Sequence, residues 1–174
     1  MRTSFLRTLF FMLLANSILN AGGILDIKWP ELNQAQQKAV ASYPKVLSEG
    51  IKEVRLPVYL SSSYVDDQNM IVVSNKDFYS ISFLLEGATL LFEGDRTYQE
   101  VVSVKNSEFQ KIVQKLKPVE FSKSEEVMIA QFNRHGANYS ISVECEKPQT
   151  DKRCTEEAFI RGLYGNIILV GGKR

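Results

Sequence analysis

Residues 138–145, NYSISVEC, place Tyr139, Ile141, Val143 and Cys145 on one side of an extended chain and Asn138, Ser140, Ser142 and Glu144 on the other. Strict alternation of this kind marks a strand with one face in a core and the other in water. The run ends on one of only two cysteines in the chain, and the second, Cys154, follows a stretch from Pro148 to Lys152 that has the chemistry of a loop. A bond between them would tie the apolar face of a sheet to whatever comes after Cys154. Whether such a bond forms depends on compartment.

The N-terminus reads MRTSFLRTLFFMLLANSILNAGG, with Arg2 and Arg7 ahead of the apolar run Leu9 to Leu14 and small residues at Ala21, Gly22 and Gly23. That is the layout of a secretory signal peptide. Even carried on to Leu19, the apolar stretch is shorter than the roughly 20 residues a membrane-spanning helix needs. The expected organisation is a signal peptide over 1–23 and a single exported α+β domain over 24–174, with no membrane span in the mature chain. The expected location is the periplasm in a bacterial host and the outside of the cell otherwise. In an oxidising compartment two cysteines are most simply a disulfide, Cys145–Cys154. Closing a loop of about ten residues restricts the unfolded chain by roughly 2.7 kcal/mol in the chain-entropy treatment.

The spacing suits neither a paired-cysteine redox centre nor a structural zinc site completed by His135, so no metal and no cofactor are expected. Removing Arg2 and Arg7 takes the formal charge from +1 to −1. A charge so close to zero gives no basis for binding nucleic acid or an anionic membrane. Lys105, Lys111, Lys115 and Lys117 are interrupted by Glu108 and Glu120, the pattern of a solvated helix face.

Further alternation runs from Asp77 to Leu85 and, after Glu86-Gly87, a second strand covers Ala88 to Phe92. Glu126 to Arg134 is a partner for the 138–145 strand, joined through His135-Gly136-Ala137. Val54, Leu56, Val58 and Leu60 also alternate, and Pro57 pushes that strand to an edge or to a strand start. The short apolar runs Met70 to Val73 and Ile167 to Val170 read as interior strands. Helices are expected over Glu31 to Ala41, over 107–116 before Pro118, and after Thr155 as an N-cap, with Phe159, Ile160, Leu163 and Tyr164 on one side. The order lacks a regular strand–helix alternation, so the expected fold is one α+β domain, mainly an antiparallel sheet with two or three packed helices.

Catalytic signals are thin. His135 is the single histidine, and a triad with Ser61 to Ser63 and Asp66 or Asp67 can be drawn on paper, but no G-x-S-x-G turn accompanies it. Asp66-Asp67 sits in a polar turn and lacks the alternating acids and central Gly of a calcium loop. Gly171-Gly172 reads as a flexible C-terminal end, and Asn138-Tyr139-Ser140 is a formal glycosylation acceptor on a polar strand face. Trp29, Tyr43, Tyr64 and Tyr98 fall outside the strand patterns and could form an exposed aromatic patch.

The leading expectation is a small exported, non-enzymatic binding protein, with an inhibitor or immunity protein as a specific version. Its partner would be a protein or envelope component, met through loops 61–69 or 146–153. Candidate binding residues are Tyr64, Asp66, Asp67, Tyr98, Arg134 and His135, with no catalytic residue assigned. The alternatives are a hydrolase of envelope polymers using His135 as a base, and a carrier of a small molecule or lipid.

Overall fold

The computed structural model describes residues 23–31, 34–98 and 119–174. Of the expected signal segment only Gly23 is among them, and the helix expected over 107–116 lies outside the described residues.

The alternating segments assemble as the sequence implies, into a six-stranded antiparallel sheet. Its order is β3 (Ile71–Ser74), β4 (Phe78–Leu85), β5 (Ala88–Asp95), β9 (Ala137–Cys145), β8 (Val127–Arg134) and β7 (Glu120–Ser124). The β8–β9 turn is His135-Gly136, both with positive φ (55° and 86°), the backbone twist that a two-residue hairpin requires. Strands β4, β5, β9 and β8 pair in continuous register, so each apolar series faces the same way. Tyr79, Ile81 and Phe83, Leu90 and Phe92, Tyr139, Ile141 and Val143, and Met128, Ala130 and Phe132 are all buried on this inner face. Each Val, Leu, Ile, Phe or Met among them contributes roughly 1.5–3 kcal/mol on removal from water.

A two-stranded ribbon lies against that face, β2 (Val58–Ser61) paired with β10 (Ile167–Gly171). All of β2 is buried, so the alternation read from Val54 to Leu60 has no solvent face to report. The strand begins directly after Pro57 and pairs on one side only, which agrees with the constraint proline imposes. Its other edge is closed by side chains. Tyr79 Oη accepts from the Tyr59 N–H (3.0 Å) and donates to the Tyr59 carbonyl (3.2 Å), while Tyr139 Oη donates to the Pro57 carbonyl (2.9 Å).

Helices α1 (Gln34–Ser42) and α2 (Lys45–Gly50) precede the ribbon, and α3 (Lys152–Thr155) and α4 (Ala158–Gly165) link β9 to β10. Together these elements make a mixed α+β domain, and among the described residues no helix is long and apolar enough to cross a membrane. Tyr164 of α4 packs edge-on to Phe132 and Phe121, and Gly50 of α2 closes on Val72, so both helices cover the inner side of the sheet. A short pair, β1 (Gly23–Ile24) with β6 (Thr97–Tyr98), begins the strap that crosses one end of the sheet.

Three expectations change. Met70 to Val73 is not interior: β3 is an edge strand whose Ile71 and Val73 are exposed. Thr155 does not cap the last helix, because Asp151 accepts from the Arg153 N–H and starts α3 first, leaving Thr155 to donate back to the Asp151 carbonyl. The C-terminal glycines are held rather than loose: Gly171 pairs with Val58, and Gly172, at φ 110°, passes close to Trp29 and the Leu56 carbonyl. Lys173 beyond them bonds the Val54 carbonyl through its backbone N–H (2.6 Å) and Glu53 through its ammonium (2.9 Å).

Gly94 tests this packing most directly, since a β-carbon there would press into the Tyr79 and Tyr139 rings whose hydroxyls hold β2. Gly94→Ala is expected to destabilise the fold by roughly 1–3 kcal/mol. A denaturant midpoint equal to that of the parent chain would contradict this account of the ribbon.

Candidate functional site

The sheet has two ends, and the candidate residues divide between them. At one end lie the Glu86-Gly87 turn, the loop of residues 62–69 that leads into β3, and the segment after Cys145. At the other lie the His135-Gly136 turn and Tyr98. The long strands between them hold these groups about 25 Å apart.

At the first end Cys145 and Cys154 form a disulfide, both buried, with Cys145 on the inner face as the alternation requires. The bond secures α3 under β9, and Arg153, next to Cys154, becomes the organising side chain. Its Nε donates to both Asp151 carboxylate oxygens (3.0 and 3.1 Å), and its guanidinium also donates to the Glu86 carbonyl (2.9 Å). The Glu146 N–H donates to the Gly87 carbonyl (2.9 Å), so the β4–β5 turn and the segment after β9 are joined twice.

The neighbouring loop is ordered from within. Tyr64 packs on Phe83 and Phe92, with centroids 5.0 and 6.4 Å away, and Val65 and Met70 are buried. The Asp67 carboxylate accepts from the Asn69 N–H (2.8 Å), an Asx turn. Burial raises the Tyr64 hydroxyl above its ordinary pKa, opposed by the Arg153 charge and helped by Asp67. Asp66 is exposed, and its charge adds to the burial that raises Tyr43. Ser62, Ser63, Gln68, Asn69, Lys147, Gln149 and Thr150 are left to solvent. The two loops singled out in the sequence are therefore neighbours.

At the second end Tyr59 is a platform. The His135 ring stacks on it (centroids 6.2 Å, planes 12° apart), and the Arg134 guanidinium sits over it at 5.1 Å and over Phe132 at 5.7 Å. The His135 carbonyl accepts from the Lys28 N–H (2.9 Å), pinning the strap. Burial, and then the Arg134 charge, lower the His135 pKa below its ordinary value. The imidazole is therefore neutral near neutral pH. Tyr98 contributes a backbone pairing to Gly23, and its side chain lies outside the description.

This arrangement separates the residues of the triad drawn on paper. Asp66 and Asp67 are at one end and His135 at the other, and Ser61 is buried in β2 with no hydrogen-bond partner for its hydroxyl among the described residues. The zinc alternative loses both thiols to the disulfide. An open groove of about 540 Å³ lies between the strap and the C-terminal strand, with Trp29, Pro30 and Val40 as apolar walls and Glu31 and Arg174 as charged ones. It adjoins the second end, where Lys28, next to Trp29, bonds the His135 carbonyl.

Compared with protein-family models, with curated proteins and with solved structures, the chain finds no match in any of the three. The chemistry of the site rests on its own geometry. A rigid end with short, internally bonded loops and exposed amides and hydroxyls is suited to recognition by shape and hydrogen bonding. Sequence reasoning missed Arg153 and Asp151, and an acidic residue two positions before an arginine at a helix start was the available signal.

Two outcomes follow. Replacing Cys145 and Cys154 together by Ala is expected to cost roughly 2–3 kcal/mol in a denaturant titration, the loop-closure contribution of a short ring. An unchanged midpoint would mean the bond braces nothing. Hydrogen bonding to Arg153 holds Asp151 down at about 2 from an ordinary 3.8. A depressed acid stabilises the fold above its unfolded pKa and loses that contribution as pH falls through the folded value. The melting temperature should therefore fall more steeply between about pH 4 and 2 in the parent chain than in Asp151→Asn, and parallel profiles would refute the pairing.

Proposed function

We propose that this chain is an exported, non-enzymatic binding protein that meets a protein or envelope partner through the disulfide-braced end of its sheet. The observation that carries the reading is the convergence of the 62–69 loop, the Glu86-Gly87 turn and the 146–151 segment around Arg153. A partner surface assembled from three separate stretches has to be rigid before it binds, or the cost of ordering it is subtracted from affinity. The Asx turn at Asp67, the Arg153 bonds and the buried disulfide all limit that cost. Export is supported by the signal-like N-terminus together with the disulfide. The specific version is an inhibitor or immunity protein whose loops enter a cleft of its target, since loops braced in advance lose little freedom on entry.

The test has two arms. Intact mass from the native host should begin near Gly22 to Ile24 and gain two hydrogens on reduction; a mass from Met1 with free thiols would remove the export reading. In the second arm the tagged protein is used to capture partners from envelope extract. Gln68→Arg and Lys147→Glu, both at solvent-exposed sites, are expected to weaken retention of the same partner by at least about tenfold, and Asn133→Arg at the far end to leave it unchanged. Equal loss in all three, or no partner at any salt, would overturn the proposal.

A further inference from the structure

Among the described residues the six-stranded sheet ends in two unpaired edges of different character. β7 carries Glu120 and Lys123, charges of the kind that keep an edge from pairing with foreign strands. β3 reads Ile-Val-Val-Ser, with no charge and no proline, and its register with β4 runs without a bulge from Ile71↔Ser82 to Ser74↔Tyr79. Among the described residues its shortness, four residues, is its one protection.

The direction of its backbone groups follows from the turn. The Asn75 N–H donates to the Phe78 carbonyl (3.0 Å), so by alternation Val73 and Ile71 bond to β4 while Val72 and Ser74 aim their N–H and C=O groups at the open side. Among the described residues no backbone group meets them. The side chains above this edge are equally unusual. Ile71 is 50% exposed, Val73 56%, and Leu84 of the adjoining strand 73%, all on the outer face. On the inner side Val72 is fixed against Gly50, and Ser74 donates to the Gly50 carbonyl (2.6 Å), so the strand is held from below and open along its edge.

Charge distinguishes the two ends of the strand. Asp66 and Asp67 precede it, whereas Lys76 and the exposed Arg55, whose N–H bonds the Lys76 carbonyl (2.7 Å), follow it, and the next residue, Asp77, is paired with Arg96 (3.6 Å).

We infer that the β3 edge receives an extended segment of another protein as a seventh, antiparallel strand. Its backbone pairs with Val72 and Ser74, and its alternate apolar side chains lie beside Ile71 and Val73. The antiparallel direction matches the whole sheet and is the more stable pairing. In that direction carboxylates at the N-terminal side of the segment meet Arg55 and Lys76, and basic residues at its C-terminal side meet Asp66 and Asp67. This edge adjoins the loop end and shares Asp66 and Asp67 with it, while its backbone pairing through Val72 and Ser74 is tested separately.

The probe is a fluorescein-labelled peptide, acetyl-Glu-Glu-Thr-Val-Thr-Val-Thr-Lys-Lys-amide, titrated into the full chain. Saturable anisotropy is expected, with amide exchange slowed at Val72 and Ser74. Binding should weaken by at least about tenfold with Val73→Lys, with N-methyl groups on the peptide residues facing β3, and with the two charged pairs interchanged. The N-methylated peptide keeps the test valid should Val73→Lys fold poorly. Binding indifferent to these changes, or protection elsewhere, overturns the inference. So does slow exchange of both amides in the free monomer, the edge then being covered by the chain itself. A concentration-dependent dimer that protects them without peptide has the same force. Loss of the envelope partner on Gln68→Arg but not on Val73→Lys, with no peptide binding, would sink the edge alone and leave the loop reading standing.

Discussion

The Tyr79 hydroxyl fills a place in the core where the fold would otherwise leave a strand's backbone groups unsatisfied. The Ser62 N–H donates to the Asn166 carbonyl, so alternation turns the Tyr59 N–H and C=O away from β10 and into the core. A buried amide and carbonyl left without partners cost about 1–3 kcal/mol each. Tyr79 satisfies both with a single hydroxyl, and Tyr139 does the same for the Pro57 carbonyl. Both phenols are pushed well above their ordinary pKa by burial and remain neutral donors across any physiological pH. The rest of the arrangement depends on this, because the ribbon they hold supplies the second layer of the core. Gly94 leaves the space in which the two rings reach it.

From that docking the geometry of both sheet ends follows. Holding Tyr59 under Tyr139 presents its ring to His135 and Arg134 at one end. The chain then leaves β2 through buried Ser61 and delivers the 62–69 loop to the other end, where Tyr64 settles on Phe83 and Phe92. The aromatic cluster is therefore a structural spine, and its neutral histidine belongs to that spine. The disulfide acts one layer further out, securing α3 so that Arg153 can reach the β4–β5 turn.

Much of the fold was legible because burial on a single face writes itself into the sequence. Tyr139 to Cys145 and Tyr79 to Leu85 alternate for that reason, and Pro57 announced the start of β2. Where a segment is buried on both faces or on neither, the pattern fails. β2 is buried throughout, and β7, with Lys123 on its inner face and Glu120 on its outer face, becomes a strand only by pairing with β8. Met70 to Val73 was misread for a related reason. Hydropathy records that a run is apolar, not whether another strand lies beyond it. The site was half legible: the loops could be named, but their adjacency is set by strand order across the sheet, to which local sequence is blind. Asp151 prevailed over Thr155 as a cap because it serves two partners, the Arg153 N–H and its guanidinium.

The exposed valine and isoleucine of β3 belong to this same logic. A sheet with one layer of cover needs only its inner face apolar; Ser80, Ser82, Ser140 and Ser142 follow that rule on the outer face of β4 and β9, while the outer Leu91, Val127 and Ile129 are partly buried among their neighbours. Ile71, Val73 and Leu84 are the large apolar residues of the described sheet left exposed, and they lie at one corner, beside the edge that carries no charge. Packing within the described fold does not require them, since Val72 and Ser74 make the inward contacts with α2. Apolar side chains that serve no internal contact and cluster at an uncharged edge lower solubility unless something covers them. Their retention at that corner is accounted for by a strand that arrives from outside.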